Sequence, residues 1–197
     1  MEFLETHSNC LQCGRMIAQR EIAGGRVTRK KQGFVCCDCQ VPDLGRVIGQ
    51  YRLVELINEG TTGRIFRAEH VTIKRQVAIK ILLERLAFKE TVKLRFLREA
   101  RAGAALNHPN IVNLFDAGEH EGTYYLVMEL VEGPNLQKLI ETEGALAPGR
   151  ALQVAIQVAR ALDYAHGKGI VHRDVRPLNI LVAAGDKAKL IDIGTAK

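Results

Sequence analysis

His172-Arg173-Asp174-Val175-Arg176-Pro177-Leu178-Asn179 is the stretch on which the reading of this chain turns, and Asp192-Ile193-Gly194 follows, with its acid eighteen residues after Asp174. Two carboxylates and a carboxamide are hard oxygen donors, the kind that hold small divalent cations. A positioned carboxylate is also a group that can take a proton from a hydroxyl. Apolar residues frame the loop. Ile170-Val171 precede it, Ile180-Leu181-Val182 follow it, and Ala188-Lys189-Leu190-Ile191 leads to the second acid, so short strands are expected around it.

Upstream, residues 148–166 place Ala151, Leu152, Ala155, Ile156, Ala159 and Leu162 at helical spacing, with Pro148 suited to a first turn and Gly167 to a C-terminal end. Residues 49–57 alternate like a strand and run into Asn58-Glu59-Gly60-Thr61-Thr62-Gly63-Arg64-Ile65-Phe66. Glycines in such a loop let backbone N–H groups approach an anion closely. Val77-Ala78-Ile79-Lys80 reads as a strand ending in one lysine. Residues 87–106 carry apolar positions among charges at helical spacing and include Glu99, and Tyr124–Val131 reads as a buried strand.

The order of these elements resembles the protein kinases, and among them the bacterial serine/threonine kinases of eukaryotic type. The resemblance implies an α+β fold. A small lobe of antiparallel sheet plus one helix, with the hinge, spans 51–131, and a truncated helical large lobe spans 132–197. It also assigns roles. Gly60 and Gly63 match two of the three glycines that cover ATP phosphates, with Asn58 in the place of the first. Lys80 would hold the α/β-phosphates with Glu99 as its partner. Asp174 would be the catalytic base, Asn179 and Asp192 would bind Mg²⁺ or Mn²⁺, and Arg176 would stabilise charge on the transferred phosphoryl group. Backbone groups of Glu129 and Val131 would meet the adenine edge, Met128 would close the back of the pocket, and Ile57, Ile65, Ala78 and Leu181 would face the base. Arg176 stands where lysine is usual, a change of donor geometry at constant charge. Ile193 stands where phenylalanine is usual.

The five cysteines all lie in the first 39 residues. Cys10 and Cys13 form one Cys-x-x-Cys pair and Cys36 and Cys39 another, a pattern that suits four thiolates around one structural Zn²⁺. Cys37 is the odd residue. The arrangement resembles a zinc ribbon over 1–42, joined by a linker at 43–50 to the kinase-like part, and Ile22–Val27 reads as a hairpin turn within it. Arg26, Arg29, Lys30 and Lys31 make a basic stripe, read as a solvated hairpin face or as a docking or nucleic-acid patch. A protein partner at the ribbon is possible on this reading.

Composition is that of an ordinary globular chain: 197 residues, 47% hydrophobic, 25% charged, net charge +6. The charge suits a polyanionic ligand such as ATP and is too diffuse to argue for nucleic acid. No apolar run reaches the roughly 18–20 residues of a membrane helix. Nothing at the start resembles a signal peptide, so the cytoplasm is the expected compartment. Lys197 lies three residues after Gly194. The resemblance therefore implies that an activation segment and further large-lobe helices are missing, that the 148–166 helix exposes an apolar face, and that this polypeptide alone is weakly active or inactive. The expected function is ATP-dependent phosphorylation of a protein serine or threonine. The alternative is an inactive zinc-ribbon adaptor or nucleotide-binding module.

Overall fold

A computed structural model describes residues 8–9, 16–17, 22, 28–30, 33–35 and 43–193. The chain divides into two compact units, residues 1–46 and 47–197. In the first unit β1 (Ser8–Asn9) pairs antiparallel with β2 (Met16–Ile17), and β3 (Thr28–Lys30) with β4 (Gly33–Val35). Cys10, Cys13, Cys36 and Cys39, the Arg26 and Lys31 ends of the basic stripe, and the glycine pair of the Ile22–Val27 turn lie outside the described residues.

The second unit opens inside the stretch read as a linker, because Val47–Ile48 (β5) already pairs with Tyr51–Arg52. Five more strands complete an antiparallel sheet in the order β5-β6-β7-β8-β10-β9: β6 (Tyr51–Glu59), β7 (Gly63–His70), β8 (Gln76–Leu82), β9 (Leu114–His120) and β10 (Thr123–Met128). Strand β8 is buried along almost its whole length, as its Val77-Ala78-Ile79 run requires of a strand covered on both faces.

The sheet curls. The Tyr51 side chain on β6 lies near that of Asp116 on β9, four positions away in strand order. Tyr125 on β10 lies over its cross-strand partner Gly118, and its hydroxyl fills the space that a β-carbon would take at both Gly118 and Gly49. The two glycines are thus a slot for one phenol, which draws the β5–β6 turn towards β9.

Helix α1 (Glu84–Ala87) is a single turn, and α2 (Glu90–Ala104) follows it. The helical period expected over 87–106 is broken at Phe88–Lys89. Helix α2 buries only Phe96 and Ala100, against Leu82 and Leu126 of the sheet. After β10 the chain runs as an extended linker into α3 (Leu136–Glu143) and α4 (Pro148–Gly167). Asn135 caps α3 by accepting from the Lys138 N–H at 2.8 Å. Strands β11 (Ile180–Ala183) and β12 (Lys187–Leu190) form a hairpin that packs Ile180, Val182, Ala188 and Leu190 on Val154, Val158, Ala161 and Ala165 of α4.

Two expectations are corrected. Ile170-Val171 is not a strand, because the Ile170 N–H turns back to the Ala165 carbonyl at 2.9 Å and caps the end of α4. Strand β10 stops at Met128 rather than continuing to Val131. The expected apolar face of α4 is present. Val154, Ala155, Val158 and Leu162 line a groove of about 610 Å³ with Leu136 and Ile140 of α3. Among the described residues no helix is long and apolar enough to cross a membrane.

The phenol slot gives a direct test. A β-carbon at Gly118 would lie 2.8 Å from the Tyr125 hydroxyl and 2.9 Å from its Cζ. Gly118→Ala should cost about 1–3 kcal/mol, as overpacking does, seen as a lower urea midpoint. Adding Tyr125→Phe should recover only part of the loss, because the ring carbon stays.

Candidate active site

Lys80 sits at the fifth position of β8, and its 9% exposure is unusual for a lysine. Strand β8 lies in the middle of the sheet, so the side chain leaves it beneath α2. The ammonium meets two carboxylates there, Glu99 Oε1 at 2.7 Å and Asp192 Oδ1 at 2.9 Å. Burial alone would push its proton off. The charges of Asp192 and Glu99 outweigh burial and hold the pKa well above the usual lysine range. Glu99 shows the opposite balance. Burial dominates the opposing pull of Lys80, Asp192 adds repulsion, and its carboxyl is pushed up to about 7. Asp192 is buried too, but Lys80 and a hydrogen bond from Glu99 hold it below the usual aspartate range. The three groups therefore share their charge unequally. The ammonium and Asp192 stay ionised, and Glu99 takes the proton first.

Asp192 reaches this point from a backbone in the left-handed region, at φ 58°. Its position is set by the neighbouring Ile191, whose carbonyl accepts from His172 Nε2 at 2.9 Å and whose N–H donates to the Asn179 carbonyl at 3.0 Å. The buried His172 ring also accepts the Asp174 N–H on Nδ1 at 3.2 Å, which fixes the proton on Nε2. One imidazole thus ties the backbone before Asp192 to that of Asp174. Arg173, between His172 and Asp174, also has positive φ, 67°.

Asn179, 4% exposed, donates its carboxamide N–H groups to the Asp174 carbonyl and to Asp174 Oδ2, both at 2.9 Å. Arg176 Nε stands 3.3 Å from the same Oδ2. One oxygen of Asp174 is therefore held from two sides. Lys80, Glu99, Asp174, Arg176 and Asp192 line one cavity of about 280 Å³ with Thr61, Thr62 and Arg95.

A second cavity, of about 420 Å³, lies beside the linker. Ile57, Ile65, Ala78 and Met128 come from the sheet, Glu129 and Val131 from the linker, and Leu181 from β11. All seven residues expected around a base are thus brought together. The glycine loop is placed differently. Gly60 and Gly63 line neither cavity, and the Gly60 N–H is spent on the Gly63 carbonyl at 2.9 Å. A β-carbon at Gly63 would lie 2.5 Å from the Ile81 carbonyl of the neighbouring strand, so sheet packing alone demands glycine there. Thr61 and Thr62, at the loop tip, face the charged cavity instead.

Several lining residues went unnoticed in the sequence. Arg95 could have been found, since it lies four residues before Glu99 and so on the same helix face. Val112, Ile191, Leu178, Asn135 and Lys138 line the second cavity with no local signal.

Residues 51–197 match the family model described as the protein kinase domain. The serine/threonine-protein kinase PknD of Mycobacterium tuberculosis is 38% identical over 157 residues, 80% of this chain and 24% of that protein. PrkC of Bacillus subtilis, also described as a serine/threonine-protein kinase, is 40% identical over 151 residues, 77% of this chain and 23% of that protein. The chain thus spans about a quarter of the length of these relatives. Among solved structures, the PknI kinase domain of Mycobacterium tuberculosis superposes with a TM-score of 0.69 at 30% identity, over 78% of this chain and 61% of that one.

The proton on Glu99 has a consequence for stability. Its folded pKa of about 7 lies above the ordinary 4.5, so the folded state binds this proton more tightly than the unfolded state. The contribution of Glu99 is fully present below 4.5 and is lost as pH rises through 7. Chemical unfolding across that window should show wild type losing stability with rising pH, and Glu99→Gln should remove that component of the slope. An unchanged slope would place the proton elsewhere.

Proposed function

The chain belongs to the protein kinase family, and from that premise we propose that residues 51–197 form the ATP- and metal-binding half of a serine/threonine kinase, which transfers the γ-phosphoryl group of Mg·ATP to a protein hydroxyl. The observation that carries this reading is the Lys80 ammonium held between Glu99 and Asp192 in the cavity that also contains Asp174.

Lys80 gives this cavity a fixed positive charge suited to the α/β-phosphates, and Glu99 keeps the side chain extended towards them. The donor set beside it fits a small hard cation. Asn179 uses its N–H groups on Asp174, which leaves its amide oxygen, and Asp192 offers a carboxylate kept ionised by Lys80. Magnesium or manganese bound there would neutralise phosphate charge. Asp174 has Oδ2 held by Asn179 and Arg176, so its other oxygen is the one left to accept a proton from a substrate hydroxyl. Arg176, about half exposed, can turn its remaining guanidinium N–H groups to the transferred phosphoryl.

The linker cavity suits a purine. Ile57, Ile65, Ala78 and Leu181 supply apolar faces, and Met128 the rear wall. The Glu129 N–H is spent on the Asn113 carbonyl at 2.9 Å, so the Glu129 carbonyl and the backbone of Val131 are what the linker offers to the base edge. For the N-terminal unit the proposal is a structural zinc held by Cys10, Cys13, Cys36 and Cys39. Its support is the two Cys-x-x-Cys pairs and a segment too short to bury a core of its own.

Calorimetric titration with Mg·ATP tests the first proposal. Wild type should bind, and Lys80→Ala should bind at least roughly tenfold more weakly, as loss of a charge-assisted contact implies. Equal affinities would remove Lys80 from the phosphate site. For the second, elemental analysis should find one zinc per chain, lost when Cys10 and Cys13 are both replaced by serine; retention of the metal in that variant would refute the ligand set.

A further inference from the structure

The linker between β10 and α3 is pinned at both ends to one hairpin. At its far end the Val182 N–H donates to the Pro134 carbonyl at 2.9 Å, and Asn135 bridges to Leu181. A β-carbon at Gly133 would run into the Val182 carbonyl, so contact there is backbone on backbone. At its near end the pin is a side chain. Lys189 of β12 reaches Glu129 Oε2 with its ammonium at 2.9 Å. The pair is only 16% and 26% exposed. The same Glu129 oxygen accepts from the Asn113 backbone and side-chain N–H groups, both at 3.3 Å.

The register of the hairpin gives this ion pair its leverage. Leu181 stands directly opposite Lys189, so the two side chains share a face, and Ile191 lies on it two residues further on. Ala188 and Leu190 point to the other face, into the core on α4. Leu181 and Ile191 line the linker cavity on one side, and Glu129, Leu130 and Val131 line it on the other. Lys189 therefore joins the two walls of the slot at the end nearer Met128.

We propose that Lys189 is a positioning residue for the purine: its ion pair with Glu129 sets the distance between the linker and the Leu181–Ile191 wall, and so holds the backbone of Glu129 and Val131 where a base edge meets them. This rests on the nucleotide reading of the cleft. Lys189 touches no ligand in this scheme and acts through Glu129. Without the ammonium, a half-buried carboxylate loses its charged partner and the near end of the linker keeps only its Asn113 contacts.

Calorimetric titration of the whole chain with Mg·ATP and with adenosine tests this. Lys189→Met should weaken both ligands by the same factor, roughly tenfold. Lys189→Arg, which can still meet the carboxylate, should bind like wild type. Glu129→Gln should lose a similar factor and keep the Asn113 contacts, and the double variant should be no weaker than either single one. Because Glu129→Gln keeps the size of the side chain and its Asn113 contacts, it remains informative if Lys189→Met fails to fold. Unchanged affinity in Lys189→Met or Glu129→Gln, beside a wild type that binds, overturns the positioning role alone. So does a Lys189→Arg variant as weak as Lys189→Met, the pattern of a merely structural lysine. Wild type that binds neither ligand overturns the nucleotide reading, and this inference with it.

Discussion

The ammonium of Lys80 is the charge around which the second unit is organised. It joins three separate pieces of structure: the middle strand β8 that carries it, helix α2 through Glu99, and the loop after β12 through Asp192. A lysine this buried keeps its proton only because two carboxylates face it. Each carboxylate in turn needs the ammonium, since side by side and unpaired they would repel. Remove the ammonium and two buried carboxylates are left with no counter-charge, which costs far more than breaking an exposed pair would. The interaction thus draws α2 onto the sheet, where the helix offers only a small apolar contact, Phe96 and Ala100 with the partly buried Val92.

The second constraint is backbone geometry around a buried histidine. His172 spends both ring nitrogens on main-chain groups, one near Asp174 and one beside Asp192. Asn179 divides its carboxamide N–H groups between the Asp174 carbonyl and the Asp174 carboxylate. The acids are therefore placed by hydrogen bonds to Asn179 and Ile191, which flank the β11–β12 hairpin, and those strands are anchored on α4. That is how two segments, each with a residue in the left-handed region, Arg173 in one and Asp192 in the other, keep one shape.

Much of this was legible in the sequence because charged residues at motif spacing carry their chemistry openly. Lys80, Glu99, Asp174, Asn179 and Asp192 were identifiable from order and spacing, and the structure brings them together. The long helix and strands were also legible, from their apolar periods. What escaped was set by hydrogen-bond supply. Ile170-Val171 has strand composition, but the Ile170 N–H is already committed to the end of α4. Gly63 reads as a phosphate-loop glycine, yet a neighbouring strand carbonyl is what excludes a side chain there. The phenol slot at Gly49 and Gly118 depends on how far the sheet curls, which no local pattern encodes.

Two of the three departures from the familiar pattern have a physical reading in the structure. Ile193 is 5% exposed and packs in the apolar cluster with Leu190 and Ile111, so the site asks for an apolar body and isoleucine supplies one. Arg176 is different, because what matters there is donor geometry. A guanidinium can hold the Asp174 oxygen through Nε and still present its forked N–H groups elsewhere, whereas an ammonium must divide one point charge between the two tasks. The substitution keeps the charge at the mouth of the cavity and adds an oriented hold on the candidate base. An arginine here is thus compatible with the same chemistry by a different division of labour.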